Sequence, residues 1–305
     1  MSRPTILLTG ADGQVGFELA RLLRPRGDIV AANRQRLDLS DADAIVDAVR
    51  GARPRLIVNA AAYTAVDLAE KESAIAHAVN GRAPGILAEE AKRVGAVLVH
   101  YSTDYVFDGT RTTPYDEDAP VAPLNVYGWS KLEGERAIAA VGAKAIVLRT
   151  SWVYGLRGRN FLLTIRRLAA EREELRIVAD QIGVPNWSRD IATITARMVE
   201  SGLAALADRA GLYHLSARGS ASWYDFARAI VGDVARPRVT PITTDRYPLP
   251  ARRPAYGVLA PDRLEAAFAI RMRDWREVLA ECVASPVELP QDAAPPASSA
   301  PSRAA

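Results

Sequence analysis

Cysteine is almost missing from this chain, with Cys282 alone among 305 residues. That excludes an internal disulfide and any thiolate cluster, and it fits a reducing compartment. The three histidines, His77, His100 and His214, fall in no metal-ligand spacing, so each is expected to be structural or exposed and no metal is expected. No apolar run is long enough to span a bilayer, and Met1 leads straight into a strand-like segment without the apolar core of a secretion signal. The expectation is a cytoplasmic protein with no membrane partner. Lysine is scarce, and the arginines that replace it are interspersed with acids, so a net charge of +3 makes no basic stripe and no nucleic-acid partner is expected. There is no Walker lysine loop, no G-x-S-x-G elbow and no repeat period, which removes phosphoryl transfer and serine hydrolysis.

Against that scarcity of lysine, one pair stands out. Tyr127 and Lys131 are four apart in Asn125-Val-Tyr-Gly-Trp-Ser-Lys131, and helical spacing stacks them on one face. With four lysines and ten tyrosines, a chance Tyr-x-x-x-Lys is expected about 0.13 times. An ammonium beside a phenol favours the phenolate, so Lys131 is expected to lower the pKa of Tyr127 toward working pH and make it a usable proton donor or acceptor.

The chain in order supplies a setting for the pair. The β-branched run Thr5 to Leu8 is followed by Thr9-Gly10-Ala11-Asp12-Gly13-Gln14-Val15-Gly16, and Leu19, Leu22 and Leu23 then recur at helical spacing. Glycines between a strand and a helix suit a dinucleotide pyrophosphate, although G-x-x-G-x-x-G departs from the usual spacing. A second strand, 29–32, ends at Asn33 and Arg34, where an acid usually holds the adenosine ribose. No acid stands there, and Arg34 can pair with a 2′-phosphate. A helix at 41–50 and a strand at 56–58 precede Asn59-Ala60-Ala61-Ala62-Tyr63-Thr64. Helices are then expected near 67–77 and 82–94, and a strand at 96–99 delivers His100-Tyr101-Ser102-Thr103-Asp104. A strand at 145–148 closes this half at Trp152. Later segments read as helices at 160–173, 189–206 and 222–231, strands at 175–178 and 212–215, and two short helices in 261–283. The Pro-, Ala- and Ser-rich tail from 285 is expected to be disordered.

Taken together, the glycine loop, the Asn59-Ala60-Ala61 turn, Ser102-Thr103 and Tyr127-x-x-x-Lys131 resemble the extended short-chain dehydrogenase/reductases. Within them, the runs 58–67, 100–109, 125–131, 149–154 and 250–254 resemble the dTDP-4-dehydrorhamnose reductases, over about residues 5–283. The resemblance implies an α/β fold, a doubly wound parallel sheet of Rossmann type with a smaller α/β sugar-nucleotide domain. The first domain would span 1–152 plus about 186–216, and the second about 153–185 and 217–284. It implies reduction of the C4 carbonyl of a dTDP-4-dehydro sugar by NADPH, with NADH also accepted. Gly10, Gly13, Gln14, Val15 and Gly16 would take the pyrophosphate, Asp38 and Leu39 would lie by the adenosine, and Ala62, Tyr63, Thr64 and Tyr101 would line the path to the nicotinamide. Thr103, Asp104 and Trp152 match positions that meet the sugar. Tyr127 would donate the proton, Lys131 would also bond the nicotinamide ribose, and Thr103 would hold the carbonyl oxygen. Arg252 and Arg253, between prolines, are candidates for the substrate diphosphate. The resemblance also admits a homodimer. A related epimerase or dehydratase that recycles tightly held NAD⁺ stays open, as does a non-catalytic subunit like the regulatory subunit of methionine adenosyltransferase, although all three catalytic residue types are present.

Overall fold

The computed structural model describes residues 3–232 and 236–285. The expected disordered tail therefore lies, from 286 onward, outside the described residues. The strands are β1 (Thr5–Thr9), β2 (Asp28–Ala32), β3 (Leu56–Asn59), β4 (Val97–Thr103), β5 (Ala145–Thr150), β6 (Val153–Tyr154), β7 (Glu174–Val178), β8 (Ile182–Gly183), β9 (Asn186–Trp187), β10 (Gly211–His214), β11 (Ala221–Ser222) and β12 (Arg238–Ile242). The α-helices are α1 (Gln14–Leu22), α2 (Ala42–Ala52), α3 (Val66–Ala69), α4 (Ser73–His77), α5 (Ala83–Val94), α6 (Val126–Val141), α7 (Phe161–Glu171), α8 (Ser188–Glu200), α9 (Leu203–Asp208), α10 (Trp223–Val231), α11 (Asp262–Phe268) and α12 (Trp275–Ala284).

Six strands form one parallel sheet in the order β10-β5-β4-β3-β1-β2. Side chains alternate between its faces with the strand period of two. Ile6, Leu8, Val58, Val99 and Leu148 pack with Leu19 of α1 and Ile191 and Met198 of α8. Leu7, Ile57, Leu98 and Val147 pack on the other side with Ile45 of α2, Leu87 of α5 and Ile138 of α6. This is the doubly wound arrangement, and the chain reverses its direction of winding between β1 and β3. Ligands of such sheets bind at the carboxyl ends of the strands near that reversal. A separate core gathers Tyr154, Leu162, Trp187, Phe226, Val258 and Trp275 from the later segments.

Three expected boundaries are corrected. The helix expected at 67–77 is two short ones, and from Ser73 the chain runs on to Val94 without the expected gap at 78–81, through a π turn at Ala78–Arg82. Pro84 is the reason: a proline ring clashes with the carbonyl four residues earlier and offers no N–H, so the ladder widens ahead of it. The freed Asn80 carbonyl faces Gly134 of α6 so closely that a β-carbon on Gly134 would lie 2.2 Å from it. The helix expected at 189–206 is broken at Gly202, whose φ of +94° is outside the helical range. The fourth strand also runs past 99 to Thr103, which carries the Tyr101-Ser102-Thr103 run on rigid sheet.

Candidate active site

Helix α6 starts at Asn125, whose side chain accepts from Gly128 N at 2.8 Å and donates to the Arg252 carbonyl at 2.7 Å. Only glycine fits at 128, because a β-carbon there would sit 2.3 Å from the Tyr105 carbonyl oxygen. That close approach brings Tyr127 and Lys131, one turn apart, to a cavity of about 620 Å³ at the carboxyl edge of the sheet. Lys131 is 1% exposed. Its Nζ donates to the Tyr101 carbonyl at 2.6 Å and lies 3.3 Å from His100 Nε2. Burial pushes the ammonium down to about 8, with Glu135 opposing the shift.

Tyr127 departs from expectation. Burial pushes its phenol up to about 12, a hydrogen bond with Thr103 pulls it back, and the nearby Asp104 pushes it further up. The expected downward pull of Lys131 is overridden, since desolvation of the phenolate dominates and the ammonium is turned toward Tyr101 and His100. At neutral pH Tyr127 is therefore a proton-bearing acid. The ring of Tyr105 meets it edge-on with centroids 5.5 Å apart.

The cavity extends from this pair across the glycine loop to the end of β2, and Ala62, Tyr63, Thr64, Asp38 and Leu39 lie along it as expected. Gly10 has φ +66°, and a β-carbon on it would strike Ala61 N at 2.6 Å. Gly13, Gln14 and Val15 line the wall, but Gly16 does not. A β-carbon on Gly16 would lie 2.0 Å from the Gly10 carbonyl oxygen, so its part is close packing of helix on loop and the expected pyrophosphate contact is withdrawn. Asn80 fixes the Tyr63 backbone, accepting from its N at 2.8 Å and donating to its O at 2.9 Å. Asp38 is turned inward, accepting from the N and Oγ of Ser40, and these bonds hold its carboxyl below the usual range. Tyr101 offers Lys131 its carbonyl, while its hydroxyl meets Thr195 Oγ1 at 2.7 Å.

Asn33 and Arg34 stand at the β2 end of the cavity. Asn33 Nδ2 donates to Asp12 Oδ2 at 2.8 Å, so the acid lacking from the strand end is delivered by the glycine loop instead. A second arrival comes from the segment after β6. Arg159 joins the cavity wall, Arg157 stacks over Phe17 at 4.0 Å, and Asn160 donates to Gln14 Oε1 at 2.9 Å. Asp12, Arg159, His100 and Thr150 went unassigned in the sequence because no local spacing marks them.

Next to Tyr127, Thr103 Oγ1 donates to Asp104 Oδ1 at 3.1 Å, and burial pushes the Asp104 carboxyl up to about 7. Trp152 has φ +42° and stacks on Trp223 at 3.5 Å, with Gly183 beneath it, where a β-carbon would lie 2.5 Å from the indole. Arg253 makes a two-pronged pair with Asp67 at 3.0 and 2.7 Å, whereas Arg252 is exposed.

With this geometry in place, the chain was compared with known proteins. Residues 4–287 match the RmlD substrate binding domain family. The chain belongs to that family. It is 49% identical over 290 residues to the dTDP-4-dehydrorhamnose reductase of Burkholderia thailandensis, covering 91% of this chain and 97% of that protein. The Escherichia coli dTDP-4-dehydrorhamnose reductase is 44% identical over 283 residues, covering 89% of this chain and 94% of that protein. The crystal structure of the Bacillus anthracis dTDP-4-dehydrorhamnose reductase in complex with NADP superposes with a TM-score of 0.87 at 36% identity, covering 93% of this chain and 99% of that one. Among the described residues no helix is long and apolar enough to cross a membrane.

Proposed function

We propose that this protein is a dTDP-4-dehydrorhamnose reductase, reducing the C4 keto group of dTDP-4-dehydro-L-rhamnose to dTDP-L-rhamnose with NADPH and, less well, NADH. One observation carries the reading: Tyr127 and Lys131 line one end of a cavity that begins at the glycine loop, and Thr103 hydrogen-bonds Tyr127 there. The residues along it suit a dinucleotide. Gly10 and Gly13 keep side chains off the loop, the α1 N-terminus lies behind them, and the Thr150 hydroxyl is buried at the wall without a partner among the described residues.

When bound, the reduced nicotinamide supplies the hydride. The chain's own residues do the rest. Thr103 turns its single hydroxyl proton from Asp104 to the sugar carbonyl oxygen and holds that oxygen beside Tyr127. Tyr127 gives up its proton as negative charge grows on that oxygen, a general-acid contribution of about 10²–10⁴ in rate. Lys131 steadies the resulting phenolate and bonds the ribose hydroxyls. Asp104 and Trp152 shape the sugar side, and Arg252 with Arg253 receives the diphosphate. Residues 1–152 with about 186–216 form the nucleotide unit, and about 153–185 with 217–284 form the substrate unit. The 157–160 turn reaches back over the glycine loop. Within the same reading the enzyme works in the cytoplasm.

The test is Tyr127→Phe beside Lys131→Met. The first is expected to abolish turnover and leave cofactor affinity nearly intact, and the second to damage both. Wild-type single-turnover rates in Tyr127→Phe contradict the acid's role, and unchanged cofactor affinity in Lys131→Met removes the ribose contact.

A further inference from the structure

Among the fully buried titratable side chains that the mechanism leaves unused, the imidazole of His100 is the one set against Lys131. It is the last of three residues in register across adjacent strands, Thr9 of β1 opposite Asn59 of β3 and Asn59 opposite His100 of β4. Their side chains touch in sequence. The Thr9 hydroxyl donates to Asn59 Oδ1 at 2.6 Å, and Asn59 Nδ2 lies 3.0 Å from His100 Nδ1. His100 Nε2 then lies 3.3 Å from Lys131 Nζ. The row thus runs from the residue before Gly10 to the catalytic lysine, entirely within the buried layer beneath α6.

We infer that His100 is a positioning residue for Lys131, a neutral imidazole that accepts one ammonium proton and so fixes where the others point. An ammonium has three donors. The Tyr101 carbonyl takes one at 2.6 Å and His100 Nε2 takes a second. The third is left for the cavity, where Tyr127 and the nicotinamide ribose are proposed to meet it. For Nε2 to accept, Nδ1 must carry the ring proton and donate to the amide oxygen of Asn59. That pairing turns the Asn59 amide end for end, with its oxygen on His100 Nδ1 and its nitrogen donating to the Thr9 hydroxyl, which accepts as readily as it donates. Burial and the adjacent ammonium both hold His100 well below the usual imidazole range, which keeps the ring neutral. A phenyl ring at 100 would fill the space and accept nothing.

The titratable groups around Lys131 are His100 and Tyr101 from β4 and Tyr127 and Glu135 from α6, with Arg149 of β5 held on Glu135. Glu135 is already engaged by Arg149 and Ser102, so loss of the imidazole acceptor is not replaced from that side. Without it the ammonium form is less favoured, and the alkaline limb of kcat/KM, set by Lys131 near 8, moves to lower pH.

This inference rests on the proposed role of Lys131 at the ribose. It is tested with purified His100→Phe and His100→Gln, by calorimetric affinity for NADPH and by the pH profile of kcat/KM for the sugar nucleotide. Gln offers a carbonyl oxygen in place of Nε2. In His100→Phe, NADPH affinity is expected to fall on the order of tenfold, the scale of one hydrogen bond to a charged group, and the alkaline limb to shift acidward, with both largely restored in His100→Gln. A folded His100→Phe with wild-type affinity and an unmoved limb overturns the inference, as does equal damage in both variants. If the Phe variant does not fold, His100→Asn, too short to reach the ammonium, takes its place with the same expected and contrary outcomes. Wild-type protein that binds no NADPH overturns the reading of Lys131 itself, which is a separate result.

Discussion

Arg149 clamps Glu135 with Nε donating to Oε1 at 2.9 Å and Nη2 to Oε2 at 2.6 Å, both side chains being under a tenth exposed. Ser102 Oγ donates to the same Oε1 at 2.5 Å, so the pair braces the strand that carries Thr103 against the helix that carries Lys131. Removing one partner strands a buried charge, which costs about 3–5 kcal/mol. Arg149→Met is expected to destabilise the protein on that scale, and the double change Arg149→Met with Glu135→Leu to recover much of the loss. Denaturant unfolding of the three proteins measures it. A single variant as stable as wild type contradicts the account.

On the proposed reading, cofactor preference depends on Asn33 and Arg34 just past β2 and on Asp12 of the glycine loop. Arg34 favours a 2′-phosphate, and a charge-assisted bond contributes about 1.5–3 kcal/mol, roughly ten- to a hundredfold. Asp12, held by Asn33, opposes it and can accept from a free ribose hydroxyl. We expect kcat/KM to favour NADPH, Asp12→Asn to widen that bias, and Asn33→Asp with Arg34→Ala to reverse it. Steady-state kinetics with both cofactors decides, and a wild-type preference for NADH rejects the reading of this strand end while leaving the reaction untouched.

For the substrate diphosphate, Arg252 and Arg253 are no longer equivalent. Arg253 is committed to Asp67, so its loss also frees a carboxylate, whereas Arg252 makes no such pair among the described residues. Replacing both by Ala is expected to raise KM for the sugar nucleotide far more than KM for NADPH. Equal effects on the two substrates remove the assignment.

Sheet strands were legible in the sequence because each is a short apolar, β-branched run, and Tyr127 with Lys131 because helical spacing puts them on one face. Other features depend on partners that only the fold assembles. Arg253 and Asp67 are 186 residues apart, and nothing local to either foretells their pairing. His100 read as a structural histidine until the register of β1, β3 and β4 aligned it with Lys131. The pKa of Tyr127 was misjudged in direction because spacing reports a neighbouring charge but not the desolvation that outweighs it. The continuous run through the π turn rests on Pro84 and on the close approach of Gly134 in α6, and the second of these is not local to the segment.

The central claim is that reduced cofactor is consumed as a reactant. Purified protein is mixed with a known excess of NADPH and a limiting amount of dTDP-4-dehydro-L-rhamnose, and the fall in nicotinamide absorbance is compared with the dTDP-L-rhamnose formed. The account predicts one NADPH oxidised for each molecule of product. Sugar conversion with no net loss of NADPH, as an epimerase recycling bound NAD⁺ gives, or no conversion by a protein that binds both ligands, contradicts it.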